Sequence, residues 1–244
     1  MNIGAVIQAR MGSTRLRGKV MADICGKTVL GHVIDRVRQC EELDEIIIAT
    51  TKASHDDVIV KEAERYGVKW FCGSEEDVLS RYYYASKENN LDIIVRITSD
   101  CPLIDPFVTD KIIKFYLDND FELVTNAGPD LRKRTFPRGL DVEVFSFETL
   151  SLAFENAKES YQREHVTPYL YENCEKIYYY KNDIDYSKYR WTLDTQEDFK
   201  LIEAVYNHFY KGEHDFYLSD IVEFMEKKPE IAQINANVKQ KSLK

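Results

Sequence analysis

Four cations stand close together near the start of the chain, in ARMGSTRLRGKV, residues 9–20. Arg10, Arg15, Arg17 and Lys19 are threaded with Gly12, Ser13, Thr14 and Gly18, directly after an apolar run that ends at Ala9. Cations beside pliable backbone suit a polyanion: N–H groups near Gly12 and Ser13 can wrap phosphates while Arg10, Arg15 and Lys19 supply the charge. The spacing is not a Walker A loop, because five residues separate Gly12 from Gly18 and Val20 follows Lys19. Nor is it the dinucleotide fingerprint, although it sits where that fingerprint sits, at the end of a first parallel strand. Two acidic positions accompany it. Asp100, in RITSDCPLIDP, follows an apolar run, and a carboxylate there either binds a cation or caps the turn before Pro102. Asp194, in RWTLDTQEDF, lies between a strand and a helix pattern, at a place that also suits a helix N-cap. Asp183 and Asp185 in NDIDYS form a D-x-D, the pattern of metal-dependent glycosyltransferases, but in a turn where Asp and Asn are expected anyway. Asp118 and Asp120 form a second D-x-D near a helix end.

The elements that must hold these residues alternate. Residues 2–9, 45–51, 68–71 and 92–97 read as strands. Residues 30–40, 55–66, 75–89 and 106–118 read as helices, with Gly67 as a C-terminal stop and Pro106 as an opening residue. This βαβα order implies a largely parallel sheet covered on both faces. The second half differs. Residues 141–146 alternate as a half-exposed strand, 176–181 and 188–193 read as a pair of strands, and helices are expected at 196–209 and 219–227, the latter ended by Pro229. The long stretch 126–140 has no element pattern, and loops of that length are often functional.

Composition narrows the class. The net charge of −9 over 244 residues argues against a nucleic-acid or membrane-surface binder, and makes a local basic cluster more informative. Five cysteines without a CxxC pair fit reduced thiols in the cytoplasm, and five histidines without HxxxH spacing argue against zinc. No cleavable leader and no run of about 20 apolar residues is expected.

The loop closely resembles I-x-A-R-x-x-S-x-R-L-P-G-K, the signature of the sugar-activating cytidylyltransferases, which make CMP-activated Kdo and sialic-type acids. Ile7, Ala9, Arg10, Ser13, Arg15, Leu16, Gly18 and Lys19 match, while Arg17 replaces Pro and Gln8 stands where many members have Pro. Asp100, Pro102, Leu103, Ile104 and Pro106 match the family's D-x-P-L-I-x-P. Asp194, Thr195, Glu197 and Asp198 match V-D-T-P-E-D-L, with Gln196 for Pro. Resemblance to the spore coat polysaccharide (SpsF-type) branch covers nearly the whole chain, including RTFPRGLDVEVF and REHVTPYLY.

The resemblance implies a Rossmann-like α/β fold, a mostly parallel sheet flanked by helices with a smaller second-half β insertion used in dimerisation. It implies one nucleotidyltransferase domain over 1–244, with about 126–187 as the acceptor and dimerisation insertion and 230–244 as a C-terminal tail. CTP would be held by Ala9, Arg10, Gly12, Ser13, Arg15, Lys19, Thr50, Thr98 and Asp100, and Mg²⁺ by Asp100 and Asp194. Glu197 and Asp198 would favour the helix N-terminus through its dipole. A small-molecule acceptor would meet Arg138, Asp141, Glu143, Arg163 and His165, where Asp141 and Glu143 share one strand face. Tyr82 to Tyr84 and Tyr178 to Tyr180 are expected in the core or at a homodimer interface. A glycosyltransferase using Asp183 and Asp185, or a non-catalytic nucleotide-binding assembly protein, are the rival readings.

Overall fold

A computed structural model describes residues 1–240. Strand β1 (Ile3–Gln8) runs into the cationic loop, which closes through a short 3-10 turn (Lys19–Met21). A small hairpin, β2 (Asp23–Ile24) and β3 (Lys27–Thr28), leads to α1 (Val29–Val37), whose N-terminus is capped by the Thr28 hydroxyl. Then follow β4 (Glu45–Thr51), α2 (Asp57–Arg65), β5 (Lys69–Gly73), α3 (Val78–Glu88), β6 (Ile93–Thr98) and α4 (Pro106–Leu117). The second half holds β7 (Leu123–Thr125), β8 (Glu143–Ser146), three helices α5 (Phe147–Asn156), α6 (Ser160–His165) and α7 (Pro168–Asn173), and β9 (Ile177–Tyr179). It ends with α8 (Gln196–Phe209), α9 (Leu218–Lys227) and α10 (Pro229–Gln233).

One seven-stranded sheet has the order β5-β4-β1-β6-β8-β7-β9. The pairs β5–β4, β4–β1 and β1–β6 are parallel, β8 runs antiparallel to both β6 and β7, and β7–β9 is parallel. Strands β1, β4 and β6 are buried on both faces, which is why they read as near-continuous apolar runs. Alternate residues feed two cores. Ala5, Ile7, Ile48 and Val95 meet α1, α8 and α9 on one face. Val6, Ile47, Ile94 and Phe145 meet α3, α5 and α7 on the other.

The expected α/β architecture is present, with corrections in the second half. The chain at 126–187 extends the sheet and then packs three helices on one of its faces, so it is as much helical as β. Segment 188–193 is not a strand: its ladder contact is a single parallel bridge, Arg138 to Arg190. Residues 177–179 pair with β7 instead, and Trp191 and Leu193 are drawn into the core. Pro229 both ends α9 and opens α10, its missing N–H costing nothing at a first helical position. The expected tail is therefore partly helical, and residues 241–244 lie outside the described ones. Tyr82 is fully buried, while Tyr83 stacks on Phe154, Tyr84 meets the same ring edge-on, and Tyr178 packs at a tilt against Phe115.

Candidate active site

The chain leaves β1 towards β4 on one side and returns to β6 on the other. The junction of β1 and β6 is thus the switch point, where open α/β sheets bind ligands at the strands' carboxyl ends. The cationic loop leaves β1 there and Asp100 follows β6. Asp194 reaches the same place because the Leu193 N–H donates to the Asp100 carbonyl at 2.8 Å, which lays residues 190–194 against the turn after β6.

Lys19 is the centre of the cluster. Its ammonium lies 2.8 Å from Asp100 Oδ2 and 2.8 Å from Asp194 Oδ1. Gly18, at φ +67°, supplies the left-handed turn that aims Lys19 back under the loop. Burial opposes the Lys19 charge, but the two aspartates outweigh it and raise the pKa. Burial likewise works to raise the Asp100 pKa, yet Lys19 and the Thr98 hydroxyl hold it down to about 2. The second oxygen of Asp194 takes Arg15 at 2.8 Å and Arg190 at 2.9 Å. Asp100 and Asp194 thus converge on a single cation, here an ammonium. Among the described residues no group of three or more His, Cys, Asp or Glu is placed to hold a metal. The carboxylate pair fits an ion of the magnesium type, which takes one or two carboxylates and completes its shell with substrate phosphates and water.

Other expected residues take more local roles. Arg10 makes an exposed 3.5 Å pair with Glu75. The Ser13 N–H donates to Met11 O at 2.9 Å, so in this structure it serves the loop's own turn. Gly12 lies against Glu75 and Ala9 is buried, its N–H donating to Ala49 O. Thr98 donates to Asp100 Oδ1 at 2.6 Å, which makes it a support for that carboxylate. Thr50 is fully buried at the end of β4 with a hydroxyl that has no partner among the described residues.

On the acceptor side, Asp141 and Glu143 hold different partners. Arg134 grips Asp141 with two bonds of 2.6 and 3.0 Å, while Glu143, in β8, pairs with Arg96 and accepts from the Tyr171 hydroxyl at 2.5 Å. Arg163 lies outside the cluster: it holds Asp77, the N-cap of α3, at 2.5 Å, and the Phe154 carbonyl at 2.8 Å. His165 ends α6, partly exposed. Arg138 is half-buried and has no ion-pair partner among the described residues. Asp183 and Asp185 are exposed, and Asp185 accepts from the Ser187 N–H within its own turn.

Sequence reasoning missed four supports. Asp56, fully buried, accepts from the Met11 N–H at 2.7 Å and from the Thr51 hydroxyl, pinning the start of the loop. Arg190 links Asp194 to Asp198, with bonds of 3.0 and 3.1 Å to the latter. Asn235 donates to Asp198 Oδ1 at 2.8 Å and to the Arg190 carbonyl at 2.9 Å. Arg134 is the fourth. Asp198 does cap α8, accepting from the Asp194 and Thr195 N–H groups at 3.0 Å each, in a capping box with Thr195.

Comparison with known proteins identifies the family and the fold. The family model described as cytidylyltransferase matches residues 5–240. The spore coat polysaccharide biosynthesis protein SpsF of Bacillus subtilis is 30% identical over 93% of this chain and 95% of its own. An uncharacterized protein of Methanocaldococcus jannaschii is 42% identical over 99% of this chain and 98% of its own. A solved cytidylyltransferase from Leptospira borgpetersenii superposes with a TM-score of 0.89 at 38% identity, over 99% of this chain and 100% of its own. A CTP complex of a CMP-2-keto-3-deoxy-manno-octonic acid synthetase shares the fold, with a TM-score of 0.64 at 17% identity over 85% of this chain and 99% of its own. With the family model spanning residues 5–240 and SpsF matched over nearly its whole length, the chain belongs to the sugar-activating cytidylyltransferase family, in the SpsF branch.

Proposed function

We propose that the chain transfers CMP from CTP to a small-molecule acceptor, a sugar acid or a phosphorylated sugar or alcohol, releasing pyrophosphate in surface polysaccharide or glycoconjugate synthesis. The observation that carries this reading is the convergence of Asp100 and Asp194 on one cation beside the loop, with Lys19 2.8 Å from each. The names of relatives support the chemistry: SpsF itself, and 3-deoxy-manno-octulosonate cytidylyltransferases such as that of Geobacter sulfurreducens, 34% identical over 49% of this chain and 47% of its own.

In this reading Asp100 and Asp194 hold Mg²⁺, which when bound supplies Lewis-acid polarisation of the α-phosphate. Arg10, Arg15 and Lys19 bind the β- and γ-phosphates and stabilise the charge that grows on the leaving group. An acceptor oxygen forms the new bond to the α-phosphorus as the bond to the β-phosphate bridge breaks. A phosphate acceptor is already ionised and needs no base; a sugar acid that attacks through a hydroxyl passes that proton to a base or to solvent as the bond to phosphorus forms. The unpartnered Thr50 hydroxyl, at the end of β4, is assigned to the nucleoside. Pairing through the 126–187 region is the proposed homodimer contact.

The test mixes the protein with Mg²⁺, each nucleoside triphosphate and a panel of sugar acids and sugar phosphates, and follows pyrophosphate. CTP-selective release is expected. No release with any acceptor, from folded protein, sinks the reading. Asp100→Asn and Asp194→Asn should abolish turnover, whereas Asp183→Asn with Asp185→Asn should leave it intact; the reverse pattern would support a glycosyltransferase.

A further inference from the structure

A strained turn joins α6 to α7. Val166 has φ +71° and ψ −60°, and the Thr167 N–H donates to the His165 carbonyl at 2.9 Å, which makes a three-residue γ-turn of the rare hand. A β-branched residue takes that conformation only where its surroundings force it. They do so here. Val166 is fully buried in the core, Pro168 opens α7 directly afterwards, and Glu172 of α7 accepts from Gln162 Nε2 and the Tyr161 hydroxyl of α6 at 2.7 Å each. The angle between the two short helices is thereby fixed.

Each helix starts a polar relay, and both relays end on the cationic loop. From α6, Arg163 donates to Asp77 Oδ2 through Nε at 3.1 Å and a terminal nitrogen at 2.5 Å, while its other terminal nitrogen meets the Phe154 and Ala157 carbonyls at 2.8 and 3.4 Å. All three nitrogens are engaged. Asp77 caps α3 through the Ser80 N–H and donates its own N–H to Ser74 Oγ at 3.1 Å, which closes the connection from β5. Within that connection Glu75 pairs with Arg10 and lies against Gly12. From α7, the Tyr171 hydroxyl donates to Glu143, Glu143 pairs with Arg96, and Arg96 donates to Gln8 Oε1 at 3.2 Å. Gln8 is the last residue of β1, two before Arg10. Glu143, Arg96 and Gln8 alternate with Phe145, Ile94 and Val6, so this relay runs along the sheet face that α3, α5 and α7 cover.

We infer that residues 160–171 are a brace for the phosphate loop, and that Arg163 and Tyr171 are positioning residues for Mg·CTP binding. One relay grips the loop at its root, the other at Arg10 and Gly12, and the buried turn at Val166 holds the two in register. Arg163, expected from sequence to meet the acceptor, acts instead on the nucleotide through Asp77. The inference rests on the nucleotidyl-transfer reading and deepens it.

The test measures Mg·CTP and Mg·pyrophosphate binding to the full chain by calorimetry, with folding checked by circular dichroism. Arg163→Ala should weaken Mg·CTP at least fivefold and Tyr171→Phe at least threefold. Mg·pyrophosphate, which meets the loop without a nucleoside, should weaken by the same factors. Asp77→Ala should match Arg163→Ala, and the double variant should be no weaker than either, because the two residues form one relay. Phe224→Leu, a cut in the opposite core, should lower the Tm and leave both affinities unmoved, which separates placement from lost stability. Should Arg163→Ala not fold, Arg163→Lys, which keeps a charge facing Asp77, carries the same test with a loss of about threefold. Unmoved affinity in the Arg163 or Tyr171 variant, an equal loss in Phe224→Leu, or additive losses at Arg163 and Asp77 overturns the inference and leaves the nucleotide reading in place. Failure of Mg·CTP to bind the wild type overturns both.

Discussion

Removing Lys19 should destabilise the protein in a way that a divalent cation repairs. Lys19 is 8% exposed, and its ammonium bridges two carboxylates at 2.8 Å each. Asp100 titrates at about 2 instead of 3.8 because Lys19 and Thr98 overcome its burial, a difference worth about 2 kcal/mol. The pKa is depressed in the folded state, so this stabilisation is complete above about pH 4 and fades as pH falls through 2; at pH 7 all of it is present. Lys19→Met removes it and leaves both carboxylates with burial unopposed from that side, a loss of about 3–5 kcal/mol for a broken buried pair. Arg15 and Arg190 remain on Asp194, which places the loss at the lower end of that range. Magnesium at about 100 times its Kd then returns about 2.7 kcal/mol by linkage. The wild type gains less, since its own ammonium already occupies the space between the aspartates. Urea denaturation of both proteins at pH 7, with and without MgCl₂, reads all four values. A Lys19→Met protein as stable as the wild type, or one that magnesium leaves unmoved, would refute the idea that the two aspartates form a single cation site.

Three further outcomes follow from the same geometry. Arg190→Ala should weaken magnesium dependence or turnover by about 10–100-fold, the usual effect of removing a group that orients a metal ligand. Arg190→Lys should recover only part, because its two bonds to Asp198 and one to Asp194 need a planar fork; titrating activity with Mg²⁺ separates affinity from kcat. Gly139 has φ +104°, and a Cβ there would sit 2.5 Å from the Trp191 carbonyl carbon and 2.6 Å from Thr192 N, so Gly139→Ala should cost about 3 kcal/mol or more in urea. The buried pair His32 and His214, 2.8 Å apart, makes the fold acid-labile: burial lowers their pKa values from 6.5 to about 4 and about 3. The unfolded chain therefore binds more protons between about pH 3 and 6.5. Stability falls on acidification through that window, by about 2 kcal/mol per imidazole at pH 5, and a variant lacking both rings should lose this part of the slope.

The central strands and the helices that cover them were legible because burial on both faces writes unbroken apolar runs, and because Gly67 and Pro106 mark a helix end and a helix start. Helix α5 was not read, although Ser146 caps it and Leu150 and Ala153 keep helical spacing into the core; the β-rich stretches on either side drew the whole region into one class. Segment 188–193 has the composition of a strand, yet tertiary packing of Trp191 and Leu193 overrode that preference. At the site, Lys19, Asp100 and Asp194 were visible through their motifs. Arg190 was hidden inside an expected strand. Asn235 bonds residues 45 and 37 positions away, a pairing that no local pattern records.

That hidden support ties the candidate site to the segment around Asn235. Lys19, Arg15 and Arg190 face Asp100, Asp194 and Asp198, so the inner cluster balances its own charge without any ligand. A magnesium-bound triphosphate still carries net negative charge, and a balanced cluster offers it little. In the proposed reading, charge beyond that of Arg15 and Lys19 comes from the outer loop: Arg10, whose contact with Glu75 is long and exposed, and Arg17, exposed where the family signature has Pro. Arg17 thus adds an exposed charge to the loop, whose start is anchored by Asp56 through the Met11 N–H. The inner cluster is braced by Asn235 through Asp198 and the Arg190 carbonyl, while the outer loop keeps its cations exposed, where the proposed reading needs them for an incoming nucleotide.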